Sequence, residues 1–164
     1  VCSSDLGVPR IMYMPFPFQI FQTPDHVVMV FEYDRGVRTI YTNGTPHPRG
    51  PLNWWLGDSR GRWDGDTLVV DTIGFNGRTH VDLFRTPHTT ALHVTERWTL
   101  LEGGQEILLS VRVEDPGAFK EPYELRKHYR RTNATFQEVI CAENPIGPLN
   151  QGIEPMPQQN KPEF

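Results

Sequence analysis

The stretch of sequence that decides the fold is His93–Glu114, which reads HVTERWTLLEGGQEILLSVRVE. Its central Gly-Gly pair separates two runs rich in aliphatic and β-branched residues, and glycine supplies the positive φ angles that a tight hairpin turn needs. A two-residue turn at this pair predicts that Trp98 lies opposite Leu109. Because strand side chains alternate between the two faces of a sheet, one face of the hairpin is then apolar except for Glu96.

Further turn signals divide the rest of the chain into similar short strands. Asp-Gly, Asp-Arg-Gly and Asp-Pro-Gly stretches separate runs rich in Val, Ile, Thr and aromatic residues, and no stretch shows a long helical period. The predicted strands are Phe18–Gln22, His26–Tyr33, Val37–Thr42, Arg60–Trp63, Asp66–Thr72, His93–Glu102, Gln105–Glu114, Pro122–Thr132 and Thr135–Cys141. Eight or nine strands at this length predict an all-β domain. We expect an antiparallel up-and-down barrel, with a two-sheet sandwich as the alternative.

The Asp-Arg-Gly loop of the first predicted hairpin also indicates a strand register. With three residues in this loop, Glu32 lies opposite Arg38 and Val30 lies opposite Ile40. Opposite charges and paired aliphatic side chains both stabilise cross-strand pairs, so we expect this register.

Composition bounds the class of protein. Hydrophobic residues make up 37% and charged residues 22% of the 164 residues, which suits one folded domain rather than a disordered chain. The net charge is −4, and no basic excess indicates nucleic acid as a partner. The longest uninterrupted apolar run is Val27–Phe31, far below the ~20 residues of a membrane-spanning helix. We expect neither a nucleic-acid partner nor a membrane span.

The two ends of the chain differ from its body. Residues 1–6, VCSSDL, read as the translation of a sequencing-adapter sequence, so we expect an artefact there. Residues 144–164 hold five prolines and no apolar periodicity, which predicts an extended tail. The expected domain therefore covers residues 7–143. Its Cys141 is either a small buried residue or the partner of a cysteine in a lost N-terminal segment, which would suit an exported protein.

Glu96 is the most unusual ionisable residue of the predicted core. A carboxylate among apolar neighbours pays several kcal/mol of desolvation unless it is paired, hydrogen-bonded or protonated. Desolvation raises the pKa of such a group, so Glu96 is a candidate general acid/base, metal ligand or ligand anchor. The structural alternative is that Glu96 reaches the barrel rim or a buried arginine. The arginines considered as partners are Arg60, Arg62 and Arg130.

The histidines form a second group of candidates. His88 and His93 lie shortly before Glu96, but a regular strand points His93 and Glu96 to opposite faces. Loops on a rigid scaffold often carry function, so a metal site built from these and other side chains stands as an alternative to ordinary surface histidines. The candidate metal ligands are His47, His80, His88, His93 and Asp82, with Glu96. No motif in the sequence indicates a particular cofactor, so the cofactor stays unknown at this point.

Five segments together resemble a bacterial family of hypothetical proteins that is frequent in soil organisms. The segments are Gly7–Met12 (GVPRIM), Gln22–Asp25 (QTPD), Gly61–Thr72 (GRWDGDTLVVDT), Gly74–Asn76 (GFN) and Pro87–Arg97 (PHTTALHVTER). The resemblance covers residues 7–143 and implies a bacterial origin and a periplasmic or secreted location, but no known activity. Members of the family often carry His where this chain has Asp58. The Gly-x-Trp motif with its GDTLVV strand is also similar to lipocalin-like barrels.

These observations lead to one main hypothesis and two alternatives. Small barrels of about eight strands can hold one small ligand, so we expect an exported module that binds a small, partly apolar molecule. The residues expected to line its ligand site are Trp63, Trp98, Val70 and Leu109, with Glu96 as polar anchor. The first alternative is an enzyme in which Glu96 is the acid/base and His88 or His93 assists or holds a metal. The second is an interaction protein that uses exposed strand edges or the tail.

Overall fold

The computed structural model describes residues 6–137, which form one eight-stranded sheet that curls into a half-barrel. The strands are β1 (Phe18–Gln22), β2 (His26–Phe31), β3 (Val37–Tyr41), β4 (Asp58–Asp64), β5 (Thr67–Ile73), β6 (His93–Leu101), β7 (Glu106–Glu114) and β8 (Tyr123–Arg130). They follow one another across the sheet in chain order, from β1 at one edge to β8 at the other. Three short 3-10 helices accompany them, and residues 6–137 contain no helix that is long and apolar enough to cross a membrane.

The predicted all-β, barrel-like fold is confirmed, with two differences from a closed antiparallel barrel. The sheet is open, because β1 and β8 each pair with one neighbour and not with each other. In addition, β3 and β4 run parallel and pair only Ile40 with Ser59 and Tyr41 with Arg60. Residues 42–57 carry the chain from the end of β3 back to the starting end of β4, and such a crossover produces a parallel pair.

The β6–β7 hairpin has the register predicted from its Gly-Gly turn. Trp98 pairs with Leu109, and Glu96 pairs with Val111. Glu96 is fully buried, as its place on the apolar face requires. Here a long apolar face and a short glycine turn point to the same pairing, so local sequence was sufficient to predict it.

The predicted register of the β2–β3 hairpin is wrong. Arg38 pairs with Met29 rather than with Glu32, and Ile40 pairs with Val27 rather than with Val30. The strands end earlier than predicted, and the hydrogen bond from Phe31 N to Gly36 O (2.9 Å) closes a wider loop. That loop contains a short 3-10 helix, in which Asp34 and Arg35 take positive φ angles of 56° and 48°. The shift by an odd number of residues places Arg38 and Ile40 on the same face as Val27 and Met29, and all four side chains are buried.

The last predicted strand, Thr135–Cys141, is not found in the described residues. Residues 135–137 have no regular secondary structure, and the rest of that stretch lies outside the described range. The tail expected at 144–164, both cysteines and the stretch 1–5 of the expected artefact also lie outside it. Gln137 N donates a 2.9 Å hydrogen bond to Glu32 Oε2, so the chain after β8 runs back to the β2–β3 loop.

The N-terminal segment, residues 6–17, precedes β1 and contacts β8, the opposite edge strand. Tyr129 Oη on β8 donates to Met12 O (2.6 Å), and Lys127 Nζ donates to Tyr13 O (3.2 Å). The rings of Phe18 on β1 and Tyr129 meet edge-to-face, with centroids 5.0 Å apart. These contacts hold the two edge strands near each other without backbone pairing.

Candidate functional site

The inner face of the half-barrel contains an apolar cavity of about 480 Å³. Its lining residues are Ile20, Gln22, Val27, Met29, Ile40, Trp63, Gly65, Asp66, Leu68, Trp98, Leu100 and Ile107. We call this cavity the inner groove. Most of these residues are hydrophobic, and polar side chains enter only through Gln22 and Asp66. Trp63 and Leu100 are about half exposed, so large apolar side chains remain accessible within the groove.

The residues predicted to line the ligand site divide into two pairs. Trp63 and Trp98 line the inner groove, as expected for a ligand site. Val70 and Leu109 are fully buried and do not line it. The indole of Trp98 stacks on the ring of Tyr129, with centroids 5.9 Å apart and an angle of 11° between the planes. That stacking fixes one side of the groove.

Glu96 does not line the inner groove; it forms a buried ion pair with Arg38 on β3. Nη1 of Arg38 lies 3.0 Å from Oε1 of Glu96, and Nη2 bonds Oε2. The other donors of Arg38 are also occupied: Nε donates to Ser59 Oγ (3.1 Å), and Nη2 donates to Thr72 Oγ1 (3.0 Å). The Sδ of Met12 lies 4.0 Å from Nη1. All five N–H groups of the guanidinium therefore have an acceptor, as a buried charge requires.

The arginine partners predicted for Glu96 are wrong, because Arg38 on β3 is the arginine that binds Glu96 on the inner face. Arg60 binds Asp58 through two hydrogen bonds of 2.6 Å and 2.9 Å. Arg130 binds Glu106 at 3.0 Å near the surface, and Arg62 is exposed. The structural alternative, in which Glu96 meets a buried arginine, is the arrangement found.

A second polar cluster lies on the outer face of the sheet and connects five ionisable side chains. His47, from the β3–β4 connection, lies between two carboxylates: Nδ1 is 2.6 Å from Asp58 Oδ1, and Nε2 is 2.9 Å from Asp71 Oδ2. The other oxygen of Asp71 bonds Nε2 of His93. With Arg60 on Asp58, the chain of contacts runs Arg60, Asp58, His47, Asp71, His93. We call it the outer-face network.

Within the outer-face network, the pKa values of Asp71 and His93 are shifted from their ordinary values. The hydrogen bond from His93 lowers the pKa of Asp71, and the bond from His47 acts in the same direction against partial burial. The same bond to Asp71 raises the pKa of His93, although partial burial opposes it. The contact between Asp71 and His93 therefore favours the charged form of both groups.

The remaining candidate metal ligands lie apart from this network. His88 is buried, and burial lowers its pKa; its Nε2 bonds Thr79 Oγ1 at 2.6 Å. Asp82 accepts hydrogen bonds from Thr86 and from Phe84 N. His80 forms backbone bridges to Leu6 and Pro87. Within residues 6–137, no three His, Cys, Asp or Glu side chains are grouped to hold a metal ion.

Sequence reasoning missed Arg38, Asp58 and Asp71. A signal for Asp71 was present, because aligning the apolar faces of β5 and β6 pairs Val70 with Glu96. In that register Asp71 and His93 share the outer face and lie diagonally across adjacent strands. Asp58 and His47 had no such signal, since only the folded β3–β4 connection brings them together.

Comparisons of this chain with models of protein families, with curated proteins and with solved structures found no match.

Proposed function

We propose that the protein binds a small, largely apolar molecule in the inner groove. The observation that supports this proposal is an apolar cavity of about 480 Å³ whose lining includes the half-exposed side chains of Trp63 and Leu100. Ligand pockets typically have volumes of about 300–1,000 Å³ and are lined by hydrophobic and aromatic side chains with a few polar groups. A ligand that covers these side chains would remove their apolar surface from water, which favours binding.

The ligand's polar contacts in this proposal come from Gln22 and Asp66, not from Glu96. Gln22 offers an amide donor and acceptor, and Asp66 offers a carboxylate acceptor. Glu96 is engaged with Arg38, so anchoring a ligand there would leave a buried guanidinium short of its partner. An aromatic molecule that carries one N–H or O–H donor suits this combination: its ring packs against Trp63, and its donor meets Asp66.

The proposal includes two expectations from the sequence: that the barrel resembles those of lipocalins, and that the protein is exported to the periplasm or outside the cell. Small barrels that bind ligands use the inner face of the sheet, as this groove does. Export is supported by the resemblance of residues 7–143 to the bacterial family described above.

The two alternatives have weaker support. The enzyme hypothesis combined Glu96 with His88 and His93, but these three have different partners: Arg38, Thr79 and Asp71. The interaction hypothesis rests on the edge strands and on the tail, and the tail lies outside the described residues. Of the edge strands, β1 exposes Ile20 and Phe21. Ile20 also lines the inner groove, so its exposure is accounted for by the ligand site.

The test uses the fluorescent probe N-phenyl-1-naphthylamine, a neutral aromatic amine with one N–H donor. We expect saturable binding to the full chain, and we expect Trp63→Ala and Leu100→Ser each to weaken it about tenfold, the effect of losing about 1.4 kcal/mol of apolar contact. Trp55 and Leu83 are similarly exposed but do not line the groove, so Trp55→Ala and Leu83→Ser are the matched controls. No saturable binding, or equal losses in variants and controls, would refute the proposal.

A further inference from the structure

The outer face of the sheet has a second, open pocket of about 710 Å³ beside the outer-face network. It is lined by residues of the β3–β4 connection, of the end of β5 with the loop after it, and of the start of β6, and His93 lies at its border with the network. Two of its lining residues, Arg78 and His93, carry basic side chains, and none carries a carboxylate. In a chain whose net charge is −4, a pocket with bases and no acids is a local departure from the overall charge.

Arg78 and Asn76 offer hydrogen-bond donors to this outer pocket. Arg78 is exposed and, within the described residues, has no ion-pair partner for its guanidinium. The Oδ1 of Asn76 already accepts a hydrogen bond from Arg78 N (2.9 Å), which leaves the NH₂ of that amide as a donor. Asn53 adds a second amide to the lining. A ligand that offers acceptors is therefore better matched than one that offers donors.

The outer-face network reaches the border of the pocket through His93. In this network Arg60 and the two imidazoles contact the carboxylates Asp58 and Asp71. Asp71 is bonded by both imidazoles, so its charge is matched within the network. Nε2 of His93 is used in this bond, and its Nδ1 has no hydrogen-bond partner among residues 6–137.

We propose that the outer pocket is a second ligand site, which binds a small organic carboxylate through Arg78 and His93. A guanidinium and a carboxylate form paired, charge-assisted hydrogen bonds, and an imidazolium adds a second such bond. Leu52, Pro51 and Ile73 supply an apolar part of the lining for the hydrocarbon body of the ligand. An aromatic or branched aliphatic acid fits this combination better than inorganic phosphate, which has no apolar part.

This site is separate from the inner groove, because Ile73 and His93 belong to the face of β5 and β6 opposite to Leu68 and Trp98. The hydrogen bond to Asp71 raises the pKa of His93, which widens the pH range in which the imidazolium can meet an anion. Glu114, across the β6–β7 pair, acts in the same direction and is itself paired with Arg112. Because the two sites lie on opposite faces of the sheet, the second site does not depend on the function proposed for the groove.

The test is a titration of the full chain with sodium benzoate at constant ionic strength, followed by NMR of the histidine rings and tryptophan indoles. We expect saturable shifts of the His93 ring and none of the His128 ring, which is exposed on β8. Benzamide, a neutral molecule of the same shape, should bind at least tenfold more weakly, since a charge-assisted contact contributes about that factor. Arg78→Gln should weaken benzoate about tenfold, whereas Arg62→Gln, an exposed arginine outside the pocket, should not.

Three results would overturn the second site. Equal binding of benzoate and benzamide would show that the carboxylate is not recognised. Equal affinities of Arg78→Gln and Arg62→Gln would show that the guanidinium is not involved. Absence of a saturable His93 shift would exclude the pocket itself, and shifts confined to the indoles of Trp63 and Trp98 would assign benzoate to the inner groove instead.

Discussion

At the scale of single residues, Arg38 and Glu96 show why a buried carboxylate need not be a reactive group. The pair lies among apolar neighbours with 1% and 0% of its side chains exposed. Its remaining hydrogen-bonding capacity is used by Ser59 and Thr72, whose hydroxyls lie 3.1 Å apart. A fully satisfied pair of this kind tolerates burial, but removing one partner leaves an uncompensated charge in the core.

We therefore expect Glu96→Gln to destabilise the protein by about 3–5 kcal/mol. The double variant Arg38→Met/Glu96→Leu should recover most of that loss, because it removes both charges together. Glu106→Gln is the matched control: its partner Arg130 is largely exposed, and such surface pairs contribute about 0–1 kcal/mol. Urea unfolding would measure all three, and a Glu96→Gln variant as stable as Glu106→Gln would contradict the structural role of the pair.

At the scale of elements, the weakest connection in the sheet is the parallel contact of β3 with β4. Two residue pairs join these strands, so side chains must add to the connection. Arg38 on β3 bonds Ser59 on β4, and the guanidinium of Arg60 lies 4.4 Å from the ring centroid of Tyr41. The entry into β4 depends on Gly57, which has a φ of +68° and packs directly against β5.

Gly57→Ala is expected to destabilise the protein more than Gly65→Ala, although both glycines have a positive φ. A Cβ at Gly57 would lie 2.8 Å from Ile73 O, whereas a Cβ at Gly65 would meet nothing within 4 Å. Gly65→Ala should cost only the backbone strain, about 1–2 kcal/mol. Gly57→Ala adds overpacking, about 1–3 kcal/mol more. Thermal unfolding of the two variants would test the difference, and equal costs would show that β4 can shift to admit the methyl group.

At the scale of the whole molecule, the half-barrel leaves its two edge strands unpaired with each other and closes the gap with side chains. Tyr129 has a central part in this closure, because its hydroxyl bonds the N-terminal segment and its ring contacts both Phe18 and Trp98. Trp98 also lines the inner groove. The shape of the proposed ligand site therefore depends on contacts between distant parts of the chain.

Tyr129→Phe should reduce the free energy of unfolding by about 1 kcal/mol, the usual contribution of one hydrogen bond, while the ring contacts remain. Tyr123→Phe on the same strand is the control, since within the described residues the Tyr123 hydroxyl has no hydrogen-bond partner. Hydrogen exchange of the Phe18–Gln22 amides would report whether β1 opens more often in Tyr129→Phe. Unchanged stability and exchange would show that the N-terminal segment does not hold the half-barrel together.

The parts of the fold that could be predicted are those in which local signals agree. In His93–Glu114 the turn residues, the alternation and the burial all favour one register, and that register is found. The β2–β3 hairpin has the opposite character, because its loop admits more than one length and the attractive pairing of Glu32 with Arg38 is not the one formed. Charge complementarity between neighbours is too weak to fix a register when a buried partner such as Glu96 is available elsewhere.

The candidate sites were predictable to a smaller degree. Trp63 and Trp98 were named from the sequence and do line the inner groove, and His93 was named and does border the outer pocket. The ion-pair partners were not predicted: Arg38 reaches Glu96, and Asp71 reaches His93, from other strands. His47 was named only as a candidate metal ligand, and it contacts Asp71 from the β3–β4 connection. A side chain's neighbours on other strands depend on registers that no single stretch of sequence contains.

The sequence by itself determined the approximate positions of the eight strands found in residues 6–137, the Gly-Gly hairpin, the all-β class and the burial of Glu96. Each of these follows from local rules: the two-residue alternation of strands, the conformational freedom of glycine, and the cost of exposing apolar side chains. Tertiary structure alone decided which arginine neutralises Glu96, that the barrel stays open, and that His47, Asp71 and His93 meet. Those outcomes depend on the packing of residues far apart in the chain, where small differences between competing arrangements determine which side chains come into contact.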